Sequence, residues 1–264
     1  MTRAILASAL LASVALAGGA QAQTVAAQTV AALVGDDTLA MVDVAAKKVT
    51  KTVKVTGAPG RIVGIDVRPA DGMLYALAAD GTVLTVDTAS GKATMKSKLE
   101  TMLPTGAMAT VDFNPVADRL RVIGSDGTSL RANVDDGKVV KDGSLKFAEG
   151  DTMKGKTPKV VAGAYTNAMK GAKETTLFDI DASGALLRQA PPNDGILNTV
   201  GMLGVAAEAA AFDITTDAAG KSQGWLMAGD TLHAVDLATG KATVAAKIAG
   251  TTGTVRDIAA LPGL

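Results

Sequence analysis

Four carboxylates sit in four short apolar segments that look like copies of one another. They are Asp66 in Gly64-Ile65-Asp66-Val67, Asp112 in Thr110-Val111-Asp112-Phe113, Asp213 in Ala211-Phe212-Asp213-Ile214 and Asp257 in Val255-Arg256-Asp257-Ile258. A fifth segment carries Ala164 at the same place. Flanks such as Ile65 and Val67 predict burial, where an unpaired charge is costly. Two arrangements would satisfy these acids. Each accepts hydrogen bonds from backbone amides or a Thr hydroxyl, repeated because the fold repeats; or the four form a ring of oxygen ligands for Ca²⁺, which takes about six to eight oxygens. Repetition weighs toward the first, because a need of the fold recurs in every repeat and a site does not.

A second group breaks the repetition. Arg119, Arg121 and Arg131 cluster in one repeat, with Tyr165, Asn167 and Asn193 following in the next repeat and its long insertion. Arginines so placed would bind a carboxylate or phosphate through paired N–H groups. The competing arrangement pairs them with Asp118, Asp135 and Asp136 as surface ion pairs. His233 is the one histidine and there is no cysteine, which argues against a Ser-His-Asp or Cys-His site and excludes thiolate zinc. His233 aligns with Ala40, Leu84, Leu130 and Phe178 of other repeats, so packing against a neighbour is expected. No phosphate-loop pattern occurs, and no residue is assigned a catalytic role.

The elements that must position these groups come from one stretch written five times: Thr38 to Asp43, Thr82 to Asp87, Thr128 to Asn133, Thr176 to Asp181 and Thr231 to Asp236. Successive copies start 44, 46, 48 and 55 residues apart. Self-similarity at this period marks one supersecondary unit repeated around a shared core. Turn residues precede each copy, and Asp80-Gly81 and Asp126-Gly127 predict type I′ hairpins, which need positive φ at both central residues. The closing Asp or Asn precedes a second turn and is expected to cap its backbone N–H groups. With one apolar strand ahead of each hairpin and a Lys-bearing strand after it, the unit is a four-stranded antiparallel meander, the blade of a β-propeller.

The first repeat lacks its innermost strand, and Thr254 to Ala260 supplies one without a hairpin after it. The expectation is therefore a five-bladed β-propeller, closed by N- and C-terminal strands in one blade, with Glu100 to Met108 and Arg188 to Gly204 as insertions. Residues 1–22 read as a cleaved signal peptide: Arg3, an apolar run from Ala4 to Ala17, then Ala20-Gln21-Ala22. Residues 23–264 then form one domain, periplasmic or secreted, not inserted in a membrane after cleavage, and monomeric. Basic and acidic residues balance at 26 each, which gives no attraction to nucleic acid.

Val111-Asp112-Phe113-Asn114-Pro115 with Asp118-Arg119-Leu120-Arg121, then Leu130-Arg131-Ala132-Asn133, Ala164-Tyr165-Thr166-Asn167 and Pro191-Pro192-Asn193-Asp194-Gly195 resemble the signature of domain-of-unknown-function family 4394. The resemblance implies an exported bacterial domain, often propeller-like, and carries over no catalytic residue. The functional expectation is a non-catalytic binding or scaffold protein for an unknown protein or small ligand. The alternatives are a carboxylate-using propeller hydrolase, glycosidase- or lactonase-like, and a calcium-stabilised structural domain. With 3% aromatic residues, the sequence has little to stack on sugars.

Overall fold

The computed structural model describes residues 29–217 and 219–261; the signal peptide expected at residues 1–22 lies outside the described residues. The described chain is built of strands, with one 3₁₀ turn at Pro192–Asp194 and no α-helix. The strands run β1 (Thr29–Val34), β2 (Thr38–Asp43), β3 (Lys48–Lys54), β4 (Ile62–Val67), β5 (Leu74–Ala78), β6 (Thr82–Val86) and β7 (Ala93–Lys98). There follow β8 (Ala109–Asn114), β9 (Arg119–Gly124), β10 (Ser129–Ala132), β11 (Val139–Lys141), β12 (Lys146–Phe147), β13 (Val160–Tyr165) and β14 (Leu177–Asp181). The last are β15 (Ala185–Gln189), β16 (Ile196–Met202), β17 (Ala210–Thr216), β18 (Ser222–Ala228), β19 (Thr231–Val235), β20 (Ala242–Lys247) and β21 (Val255–Ala260).

They form five sheets, the blades of a five-bladed propeller. Blade 1 has the order β21-β1-β2-β3, blade 2 β4 to β7, blade 3 β8 to β11, and blade 5 β17 to β20. Blade 4 is β13 to β16 with β12 added in parallel outside β16. The expected closure is present: β21 pairs with β1, Val30 facing Ala260. Inner strands such as β4 are buried almost throughout, whereas outer strands such as β3 and β7 are mostly exposed and carry lysines, which discourages pairing with another chain.

Five apolar clusters fill the ring, one at each blade junction. Between blades 2 and 3, for example, Tyr75 meets Phe113 edge to face at 5.2 Å. At the rim, the turn between third and fourth strands docks on the preceding blade. Gly91 (φ 76°) lies so close to Lys54 O that a Cβ there would sit 2.3 Å from it, and Thr56 N–H donates to Gly91 O at 2.9 Å. Gly137 packs the same way on Lys98, and Gly240 on Gly201. Only glycine combines this conformation with this approach. Blade 4 does the same through Gly195 (φ 69°), where a Cβ would sit 2.4 Å from Gly143 O, and here the docked segment extends into β12: Lys146 N–H donates to Gly195 O and Ala148 N–H to Leu197 O.

The repeated Asp or Asn residues cap turns as expected: Asp43 accepts from Ala46 N, Asp87 from Ser90 N, Asn133 from Asp135 N and Asp236 from Ala238 N. Three expectations need correction. Asp80 and Asp126 do not have positive φ; only Gly81 and Gly127 do, and each donates its N–H to the carbonyl three residues back. The hairpins are thus type I turns followed by a left-handed glycine, with the Asp side chain accepting the N–H of Thr82 or Thr128. The fourth copy, Thr176 to Asp181, is the second strand of its blade and not the third; Ala185–Gln189 is the third. Asp181 misleads because it caps a turn at Ser183 as the other closing residues do. The segment from Arg188 to Gly204 is not a single loop: it holds the end of β15 and the whole of the blade's fourth strand, β16, with a short turn at Pro191 to Gly195 between them.

Candidate functional site

The inner carboxylates brace one blade to the next. Asp66 Oδ2 accepts from Phe113 N at 2.6 Å, Asp112 Oδ1 from Tyr165 N at 2.9 Å, Asp213 Oδ2 from Ala260 N at 2.6 Å, and Asp257 Oδ2 from Ile65 N at 2.9 Å. Asp66, Asp213 and Asp257 also hold the N–H of the residue that follows each of them. Asp112 has no such bond, because the N–H after it is the one donated to Asp66. Four of the five junctions therefore carry a carboxylate brace, and the one between blades 4 and 5, where Ala164 stands, does not.

The four acids are not at one level. Asp66 pairs with Tyr75, Asp112 with Arg121 and Asp213 with Trp225. The residue in that place on β21 is Ala259, opposite Ala31, while Asp257 stands two residues earlier, opposite Leu33. A shift of two keeps a strand residue on the same face, which is why the sequence could not separate the levels. Asp66, Asp112 and Asp213 alone bring carboxylate oxygens within 4.8 Å of one another. Burial pushes the pKa of all three up; mutual repulsion adds to this at Asp66 and Asp112. Asp257 is also pushed up, by burial.

Of the second group, the structure brings Arg121, Arg131, Tyr165 and Asn193 together between blades 3 and 4. Arg121 is 2% exposed. Its Nε donates to Tyr165 OH at 3.2 Å, Nη1 to Ser129 Oγ at 2.9 Å and to Asp142, and Nη2 to Asn193 Oδ1 at 2.9 Å. Arg131 grips both oxygens of Asp142, at 2.7 and 2.8 Å. Arg119 and Asn167 lie apart: Arg119 donates to the carbonyls of Ala117 and Asp118, and Asn167 to that of Glu174. The surface pairing with Asp118, Asp135 and Asp136 is not what forms. Asp142 takes Arg121 and Arg131, and Arg68 from blade 2 holds Asp118 (2.6 Å) and Asp135 (2.8 Å), drawing the Asp135 carboxyl down to about 2.

Besides Asp142 and Arg68, two buried polar groups of blade 4 were not singled out from the sequence. Asp179 is fully buried with neither oxygen hydrogen-bonded, and Gln189 Oε1 is likewise unpartnered. Burial pushes Asp179 to about 8, opposed by the field of Arg121. Gly163 makes room for it, since a Cβ there would lie 2.4 Å from Asp179 Oδ1. Phe178-Asp179-Ile180 repeats Phe212-Asp213-Ile214, a signal that was available but pointed to an inner strand, whereas Asp179 is on the second. His233 is buried as expected, with Nδ1 unpartnered; the residue in its place in blade 4 is Leu187 and not Phe178.

Open space lies elsewhere. A cleft of about 360 Å³ on blade 2 is bordered by Asp87, Lys92 and Thr94, and one of about 350 Å³ on blade 5 by Asp236, Lys241 and Thr243. Each has one carboxylate along its wall, and neither reaches the buried acids.

A crystal structure of a protein of unknown function from Bacteroides thetaiotaomicron superposes with a TM-score of 0.55 at 16% identity, over 87% of this chain and 63% of that one. The present chain thus spans less than two thirds of that relative. A second protein of unknown function, from Bacteroides caccae, aligns over 90% of this chain and all of its own at 12% identity, with a TM-score of 0.48. No curated protein matches. The family model described as "Domain of unknown function (DUF4394)" matches residues 38–259, nearly the whole of the ring, and the chain belongs to that family.

Proposed function

We propose that this protein is an exported, non-catalytic β-propeller that binds a small molecule or another protein on an open face and uses its buried charge to hold the ring. The observation that carries this reading is the separation of chemistry from space. The acids with raised pKa are consumed in blade-to-blade hydrogen bonds or sealed between blades. Each open cleft has a single carboxylate on its wall, where glycoside hydrolysis takes two. The leader-like residues 1–22 support export.

Native mass spectrometry of gently recovered protein, run beside glycosidase and lactonase substrates, tests the reading. A mass excess that survives a chelator, with no turnover, is expected. Turnover abolished by Asp87→Asn or Asp236→Asn would instead establish a hydrolase.

The 4.8 Å approach of Asp66, Asp112 and Asp213 supports a second reading, a structural cation at the centre of the ring. The fit is partial. Five of the six oxygens already accept backbone N–H groups, so Ca²⁺ would be short of the roughly six to eight it takes. A calcium-dependent rise in Tm, lost in Asp112→Ala, is what this reading requires; an unshifted wild type ends it.

A further inference from the structure

The two clefts are copies of each other. Asp87-Thr-Ala-Ser-Gly-Lys92-Ala-Thr94 borders one and Asp236-Leu-Ala-Thr-Gly-Lys241-Ala-Thr243 the other. The registers coincide, since Thr94 faces Thr85 and Thr243 faces Ala234 at the same step of equivalent strands. Because equivalent strands of a propeller run the same way, both clefts open on one end of the ring.

The fold accounts for part of this conservation between blades. The Asp caps its turn, and the left-handed glycine docks on the preceding blade. Lysine has no such role. Among the described residues neither Lys92 nor Lys241 forms an ion pair, whereas Lys138, in the same place on blade 3, lies 3.7 Å from Asp136, and Val140 replaces the threonine there. Each cleft therefore offers the ammonium of Lys92 or Lys241, joined on blade 5 by Lys221, a carboxylate held ionised by its turn, with its pKa lowered by hydrogen bonds from Ser90 or Ala238, and a threonine hydroxyl. A cation and a fixed anion a few residues apart, with a hydroxyl between strands, match a ligand that carries a carboxylate beside several hydroxyls. A simple anion would meet the Asp as well as the Lys.

We infer that the clefts of blades 2 and 5 are twin subsites for a polyhydroxylated carboxylate of the sugar-acid class, the carboxylate on Lys92 or Lys241 and the hydroxyls on Asp87 or Asp236 and the adjacent threonine. The inference rests on the binding reading above and gives it a place and a ligand class.

Glucuronate is the probe, with acetate and glucose as controls, followed by amide shifts in ¹⁵N-labelled protein. Saturable shifts at both Gly91-Lys92 and Gly240-Lys241 are expected, with acetate and glucose each weaker. Lys92→Gln should weaken only the blade 2 site and Lys241→Gln only the blade 5 site, each about tenfold, as fits the loss of one charge-assisted hydrogen bond. Both lysines are exposed, so folding is not at risk. No saturable shift with glucuronate, or shifts that both variants leave intact, overturns the inference. A co-purified ligand together with silent clefts would overturn it while leaving the binding reading in place.

Discussion

Blade 4 has two flanks, and they are held by different physics. Toward blade 5 it presents Ala162, Phe178, Ile180 and Leu186 to Phe212, Ile214 and Leu226; Ala164 gives no carboxylate brace there. Toward blade 3 it presents Tyr165 and Asp179 to Arg121, with the Asp112 brace at the inner end and β12 at the rim. Burial of apolar area needs no particular partner, and on the order of 25 cal/mol per Å² closes the first flank without directional bonds. The second adds to its own apolar cluster a set of directional bonds, which contribute little individually but cost much when one partner is removed. One flank should therefore tolerate change gradually and the other abruptly.

Arg121→Met is the severest test of that contrast. It leaves Asp142 with Arg131 alone and Asp179 without the cation whose field lowers its pKa. A loss of about 3–5 kcal/mol is expected from breaking a buried pair, read by urea denaturation; a loss below about 1 kcal/mol would show that the polar flank is no more fragile than the apolar one. Next comes Ala164→Asp, which tries to give the blade 5 flank a brace. The Ile214 N–H it would use already bonds to Asp213, and the new acid joins three carboxylates already crowded at that level. A cost of about 2–3 kcal/mol at pH 7 is expected from a buried, poorly satisfied polar group, smaller at pH 5, where a buried acid is more readily protonated. Equal stability at both pH values contradicts the crowding.

The pH response sharpens the comparison further. Asp179 has a folded pKa of about 8, far above that of an unfolded aspartate. Between the two values the folded state holds a proton that the unfolded state has released. Stability from this group is thus full below the unfolded pKa and falls as pH rises toward about 8. Asp66, Asp112, Asp213 and Asp257 act in the same direction. Urea midpoints at pH 6 and pH 8 should show a smaller decline in Asp179→Asn than in the wild type, by about 1–2 kcal/mol. Parallel declines would place the proton elsewhere. The mildest change is Arg119→Ala. Arg119 touches only backbone carbonyls on the surface, so its thermal midpoint should stay within what about 0.5 kcal/mol produces.

Much of the ring was legible because its cause is local. The Thr-to-Asp stretch, the capped turns and the complementary terminal strands all leave marks within a few residues, and burial of the inner acids follows from their flanks. What failed depended on register. Asp257 keeps its face at a shift of two residues, so its altitude left no mark. Asp181 imitates the third-strand ending, and this displaced one blade by a strand and made β16 look like a loop. The partner of Arg121 and Arg131 was obscured for a different reason. Asp142 follows the short strand β11, and only the folded turn brings it under both guanidinium groups.

The pairing of Val30 with Ala260 also sets the order in which the molecule can fold. Blades 2 to 5 are each made from one continuous stretch of strands and can nucleate as they form, apart from β12, whereas blade 1 waits for strands from opposite ends of the domain. Such distant pairing slows folding because chain entropy is lost before the contact forms. Until β21 arrives, the inner edge of β1 is an open row of N–H and C=O groups that any extended strand can fill. A chain cut after Gly253 keeps that edge permanently open. The same strand from an intact molecule is its best-matched filler, so truncated and intact chains should associate by strand exchange.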